Sequence, residues 1–210
     1  MIGISKLYCG TVEASDPLRY GRQSGKLPSH LLQFSSDKKP VVVWNCTKQC
    51  NLRCVHCYAT ATCQPAPDEL DGDEARAMID DIGRFGSPVI LFSGGEPTMR
   101  PDLMELIAHA KSAGLRAVIS TNGTLITQPM AEKLAEKGLS YVGVSLDGLQ
   151  PVHDKFRGVA GAFQQALEGM RNCLAVGVKV GLRFTLNKQN VADLPGIFDL
   201  IEREGIGRVC

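Results

Sequence analysis

The sequence predicts an α/β fold, a parallel sheet curled into a partial barrel that is incomplete after about five and a half βα units. Three observations carry this reading. From Val41 onward, short apolar runs alternate with amphipathic helical patterns, and each pattern is closed by a glycine; such alternation marks βα units with parallel strands. Runs such as Val89-Ile90-Leu91-Phe92 and Ala117-Val118-Ile119 are apolar without alternation, as strands covered on both faces are. Finally, every distinctive polar cluster follows the C-terminal end of a strand. In a barrel those ends converge on one mouth, whereas an open doubly wound sheet concentrates function at a single crevice.

The rhythm starts late. Residues 1–40 show no sustained period and are punctuated by Gly10, Asp16-Pro17, Gly21, Ser24-Gly25 and Pro28. They read as an N-terminal arm, with the core domain over 41–210. Strands are expected at 41–46, 88–93, 115–120, 139–145 and 178–185. The first helix carries Ala75, Met78, Ile79 and Ile82 on one face, with Asp71 and Glu74 as a capping pair and Gly86 as its stop. The second carries Leu103, Leu106, Ile107 and Ala110, after Pro101. The third is short, around Met130 and Leu134. The fourth places Phe163, Ala166, Leu167, Met170 and Leu174 on one face. The fifth does so with Leu194, Ile197, Phe198 and Ile201, capped by Asn190. Gly207-Arg208-Val209-Cys210 opens a sixth strand, and the expectation is of a fragment truncated there.

Composition excludes several classes. Apolar residues make up 44% and charged residues 21% of the 210, ordinary for a globular protein. A net charge of +1 gives no general pull toward nucleic acid or an acidic membrane surface. No apolar run approaches the roughly 18 residues of a membrane span, and the first residues do not open a signal peptide; a cytoplasmic location is expected. Five of the eight cysteines lie between positions 46 and 63. In a cytosolic chain such clustering argues for metal rather than disulfides.

Cys50, Cys54 and Cys57 stand in C-x3-C-x2-C spacing directly after the first strand. Four thiolates close a cubane iron–sulfur cluster; three leave one iron open to a small molecule. The alternatives are a zinc site completed by Cys46 or Cys63 and a closed electron-transfer cluster. Gly94-Gly95-Glu96 follows the second strand and suits a ligand bearing an ammonium group, although a Gly-Gly turn is often only a turn. Asn122 lies in a common turn after the third strand. Ser145 and Asp147 end the fourth and offer partners for a sugar. Arg183 on the fifth offers a fork for a carboxylate, or an ion pair filling the barrel. Ammonium, carboxylate and ribose are the polar parts of an amino acid joined to a nucleoside.

Cys50-x3-Cys54-x2-Cys57 followed by Gly94-Gly95-Glu96 at successive strand ends resembles the radical S-adenosylmethionine (SAM) superfamily, over about residues 41–210. The resemblance implies a partial (β/α)6 barrel and a [4Fe-4S] cluster on Cys50, Cys54 and Cys57. It also implies SAM on the fourth iron, with His56 against the adenine and Gly94, Gly95 and Glu96 receiving the amine. Ser145 and Arg183 would contact the carboxylate, with Asn122 and Asp147 nearby. The implied chemistry is reductive cleavage of SAM to a 5′-deoxyadenosyl radical, the electron coming from a donor such as flavodoxin or ferredoxin.

His153-Asp154-Lys155-Phe156-Arg157-Gly158 resembles the branch with a C-terminal SPASM or twitch extension, where a second iron–sulfur cluster would lie. The stretches Met1–Glu13 and Leu27–Phe34 look closest to the didecarboxysiroheme deacetylases. That implies a tetrapyrrole substrate, loss of acetate side chains from 12,18-didecarboxysiroheme, and Fe-coproporphyrin III as product in haem biosynthesis. Arg19, Arg22, Lys26, Lys155 or Arg157 would meet its carboxylates, and His30 is a candidate axial ligand. A peptide-maturing enzyme of the same chemistry is the second reading. An electron carrier or zinc module is the third.

Overall fold

Among the described residues, five parallel strands form one sheet in the order β1-β2-β3-β4-β5. They are β1 (Val42–Thr47), β2 (Val89–Gly94), β3 (Arg116–Thr121), β4 (Tyr141–Ser145) and β5 (Lys179–Arg183). This computed structural model describes residues 39–210; the expectations for Arg19, Arg22, Lys26 and His30 lie outside the described residues. A doubly wound sheet would reverse its strand order partway along. Here the order is strictly sequential, so right-handed crossovers carry every helix to the same side, and the sheet is the wall of a partial barrel. Residues 208–210 continue the wall. Leu182 bridges Val209 in parallel, and the Cys210 N–H donates to the Leu182 carbonyl at 2.9 Å.

The described residues form six helices: α1 (Gly72–Phe85), α2 (Leu103–Ser112), α3 (Gln128–Glu136), α4 (Gln150–Arg157), α5 (Ala162–Ala175) and α6 (Leu194–Arg203). Helix α1 begins at the expected capping box, with Asp71 accepting from Glu74 N–H and Glu74 reaching back. It ends at Gly86, whose φ of 84° is a left-handed value that glycine adopts freely. Fully buried Ile90, Phe92, Ile119, Leu106, Met170 and Leu182 belong to the main core between sheet and helices. Cys173 is part of that core, where burial pushes its thiol up to about 12. The strand expectations agree with the observed ones to within one or two residues at most ends.

Two elements differ from expectation. Helix α4 was absent from the periodic reading because it is short, charged and begins Gln150-Pro151, and its apolar contacts come from only a few residues. Asn190 does not cap α6. A 3-10 turn, Val191–Asp193, intervenes. The buried Asn190 amide instead donates to the carbonyls of Asp147 and Thr185, both at 2.9 Å. It ties the ends of β4 and β5 together.

The mouth of the barrel is set by a register shift. Pairing between β1 and β2 slips between Asn45 and Thr47, so that Thr47 faces Gly94. Gly94 has φ 122°, and a Cβ there would overlap the Thr47 carbonyl oxygen; at Gly95 it would overlap the Gln49 carbonyl oxygen. The two N–H groups that follow use this proximity. Gly95 donates to Thr47 and Glu96 to Gln49, each at 2.7 Å. The glycines therefore dock the second strand end onto the loop leaving the first.

Candidate active site

The cysteine loop is held at both of its flanks. Cys50 N–H donates to Thr62 O at 2.8 Å and Thr62 N–H to Lys48 O at 3.0 Å, pinching the loop shut. On the other side, Arg53 N–H donates to Arg157 O at 3.1 Å and Val55 N–H to Phe156 O at 2.9 Å. Those are terminal carbonyls of α4, which no residue of the helix itself can satisfy. The loop is thus the C-terminal cap of α4.

Helix α4 explains the run His153–Gly158 residue by residue. His153 Nδ1 accepts from the Asp147 N–H at 3.1 Å and fixes the turn after β4. Asp154 accepts from Gly161 and Phe163 N–H, both at 2.8 Å, and caps the start of α5. Phe156 packs edge-on against the His56 ring, 5.3 Å between centroids. Arg157 turns toward the cysteines. Gly158, φ 68°, ends the helix close against the Arg53 carbonyl.

Cys50, Cys54 and Cys57 line one cavity of about 470 Å³, together with His56, Gly94, Gly95, Asn122, Ser145, Asp147 and Arg157. Every sulfur has an N–H directed at it. Leu52 N–H reaches Cys50 Sγ at 3.4 Å and Asn122 Nδ2 approaches it at 3.9 Å. Arg157 Nη1 donates to Cys54 Sγ at 3.5 Å, and Ala61 N–H to Cys57 Sγ at 3.5 Å. Burial raises the Cys50 thiol, partly offset by the Leu52 N–H. Among the described residues, no three His, Cys, Asp or Glu side chains are close enough together to share a single metal ion. Cys46 is not on the cavity. It is buried, donates to Ser93 O at 3.3 Å, and has its thiol pushed up to about 12 by burial. Cys63 is exposed and also off the lining.

Two expected residues stand behind the lining rather than on it. Glu96 is fully buried. Its Oε1 accepts from Thr98 N–H at 3.1 Å, Thr98 Oγ1 at 2.6 Å and Thr121 Oγ1 at 2.7 Å, and its Oε2 from Asn122 N–H at 2.7 Å. Arg183 donates from Nη1 to Ser120 Oγ at 2.6 Å and lies against Gly143, where a Cβ would meet its Nε. Its neighbour Ser120 is on the cavity.

Sequence reasoning missed Asn51 and Tyr58, and it missed the position of Arg157 beside a cysteine. Asn51 Oδ1 accepts from Asn122 Nδ2 at 2.9 Å, and Tyr58 and Ser93 hydroxyls meet at 3.1 Å. Both residues adjoin a cysteine in sequence, the one signal that could have found them. Lys155, read beside Arg157 as a cation for substrate, is exposed and away from the cavity.

His153 yields a pH prediction. Burial, with the Arg157 charge assisting, pushes its pKa down from 6.5 to about 3, so the folded chain keeps the imidazole neutral while the unfolded chain protonates it. Between pH 6.5 and 3 the unfolded state therefore binds the extra proton. Stability is lost as pH falls, by up to about 1.4 kcal/mol per unit. Urea unfolding of His153→Gln between pH 7 and 4 should show a shallower decline than wild type; equal slopes would refute the assignment.

The sequence pattern of the radical SAM superfamily matches residues 44–201. The chain is 69% identical over all 210 residues to Fe-coproporphyrin III synthase of Methanosarcina barkeri, covering 53% of that protein. It is 46% identical over 170 residues to pre-heme d1 synthase of Dinoroseobacter shibae, covering 81% of this chain and 42% of that one. It thus spans about half the length of these curated relatives. Among solved structures, SuiB of Streptococcus suis bound to its precursor peptide SuiA superposes with a TM-score of 0.68 at 21% identity, over 80% of this chain and 38% of SuiB, a likeness of fold. The superfamily match runs from inside β1 to near the end of α6 and so takes in every strand end that meets the cavity: the chain belongs to the radical SAM superfamily.

Proposed function

We propose that the cavity holds a [4Fe-4S] cluster on Cys50, Cys54 and Cys57 with SAM on the remaining iron. In the whole protein, this site would remove the two acetate side chains of 12,18-didecarboxysiroheme to give Fe-coproporphyrin III. The observation that carries the substrate is the 69% identity over every residue of this chain. The superfamily's cofactors are this cluster and SAM. The donor set suits them: three thiols spread around one cavity, each with an N–H aimed at sulfur, fit thiolates on separate irons better than a single zinc ion, which gathers four ligands at one centre.

Bound here, cluster and SAM supply a carbon radical able to take a hydrogen atom from substrate. The chain's own residues bind and orient. Gly94 and Gly95 leave open backbone on the lining for the SAM amine. Ser145 and Asp147 face the ribose and carboxylate side, and His56 offers its ring to the adenine. Glu96 acts through Thr121 and Asn122, and Arg183 through Ser120, rather than by touching the cofactor. Exposed Arg53 on the same lining suits a substrate carboxylate. The electron comes from a small donor protein such as flavodoxin or ferredoxin. In this reading residues 41–210 are the core domain and 1–40 an N-terminal arm. No helix among the described residues is long and apolar enough to cross a membrane.

The test is anaerobic incubation of the full-length protein with didecarboxysiroheme, SAM and a reductant, followed by mass spectrometry. The expected product has lost both acetate groups. Cleaved SAM with an unchanged tetrapyrrole would sink the substrate assignment and leave the radical chemistry standing. Cleavage stimulated instead by a short peptide would favour the peptide-maturing reading.

A further inference from the structure

The three cysteine sulfurs are not equivalent. Cys50 and Cys57 receive neutral amide donors, whereas Cys54 receives a guanidinium, Arg157 Nη1 at 3.5 Å. Arg157 is 8% exposed, so its charge is poorly screened by water. Two contacts hold it in place, and the partner in the second is itself positioned. Its backbone carbonyl is bonded to Arg53 N–H within the cysteine loop. Its Nε lies 2.7 Å from Asp147 Oδ2, an ion pair whose angle makes no hydrogen bond, since both atoms lack a hydrogen-bond partner. Asp147 in turn is positioned by its own N–H to His153 and lies 3.4 Å from His56 Nε2.

Hydrogen bonds to cluster sulfurs and nearby charge are the protein's main levers on cluster potential. A fixed positive charge favours the state that has gained an electron. A carboxylate beside it opposes this. We propose that Arg157 is a positioning and redox-tuning residue: its guanidinium, set against Cys54, makes the cluster easier to reduce, and Asp147 both aims that guanidinium and offsets part of its charge. The pair thus sets how readily the external donor can deliver its electron. This rests on the assignment of Cys50, Cys54 and Cys57 as cluster ligands.

The experiment is an EPR-monitored redox titration, without SAM, of the anaerobically reconstituted full-length protein and the variants Arg157→Gln, Arg157→Lys and Asp147→Asn. Iron content is measured alongside. At a fixed ambient potential, Arg157→Gln should lower the ratio of reduced to oxidised cluster about tenfold, or ~59 mV for a one-electron couple. Arg157→Lys, which keeps the charge and loses the fork, should fall between it and wild type. Asp147→Asn should raise the ratio. The opposite signs at Arg157 and Asp147 separate tuning by charge from structural damage at this contact, which would move the variants on both sides of the ion pair the same way. If Arg157→Gln takes up no cluster, Asp147→Asn and Arg157→Lys decide the matter. Unmoved potentials in iron-replete variants would overturn the proposal; if a separate SAM titration of the same variants showed weakened binding at unchanged potential, the guanidinium would serve the carboxylate of SAM instead. Wild-type protein that takes up no cluster would instead refute the ligand assignment.

Discussion

Replacing Cys54 with alanine is expected to bring the iron content of the reconstituted protein to background and to stop reductive cleavage of SAM. The three thiols that line the cavity lie on one loop, and no other described cysteine can take over. Cys46 is buried with its proton directed at Ser93 O, and Cys63 lies off the lining. Losing an outer partner of a metal ligand costs 10–100-fold, and loss of a ligand itself should exceed about 100-fold. Cys46→Ala and Cys63→Ala are the controls and should keep their iron. The readouts are iron content, the EPR signal of the reduced protein and deoxyadenosine release. A Cys54→Ala protein with a full cluster would show the ligands to be misassigned.

The second large effect is expected at Glu96, and it is an effect on stability. Its carboxylate is fully buried and accepts four hydrogen bonds from neutral donors. In Glu96→Gln one oxygen becomes an NH2 group. At least one donor among Thr98, Thr121 and Asn122 N–H then faces another donor in a dry site. Hydrogen bonds to a charged group and buried unpaired donors each contribute on the order of 1.5–3 kcal/mol, so a loss of about 3 kcal/mol is expected. With a urea slope of about 2 kcal/mol per molar, the unfolding midpoint should drop by ~1.5 M at unchanged slope. Asn122 would also lose its backbone anchor, and with it the Nδ2 approach to Cys50, so cluster retention should suffer too. A midpoint shift under about 0.3 M would mean that the network relaxes freely and Glu96 is not its centre.

Both predictions concern residues that stood out in the sequence, but for different reasons than the structure supplies. The cysteine spacing required only local chain chemistry, because three ligands on one loop are brought together by the loop itself. Gly94-Gly95 also stood out, as room for a ligand. The structure gives the same glycines a second task, the close docking of β2 on the loop after β1, which depends on a register shift that no composition reveals. The resemblance to the superfamily made Glu96 and Arg183 expected cofactor contacts. In the structure Glu96 holds two threonine hydroxyls and two backbone amides, and Arg183 holds the Ser120 hydroxyl, partners that no motif announces.

The sequence by itself determined the alternation of strands and helices, the sequential order that a one-way barrel implies, and the loop on which iron would sit. These follow from period, glycine stops and ligand spacing within a few residues of chain. Only the tertiary structure decided what surrounds each sulfur. Arg157 is 103 positions from Cys54 and Asn122 is 72 from Cys50. Their meeting depends on a short helix, α4, whose last carbonyls need the amides of the cysteine loop. Separations of that length are closed by packing and backbone satisfaction over the whole barrel, and no local pattern records them.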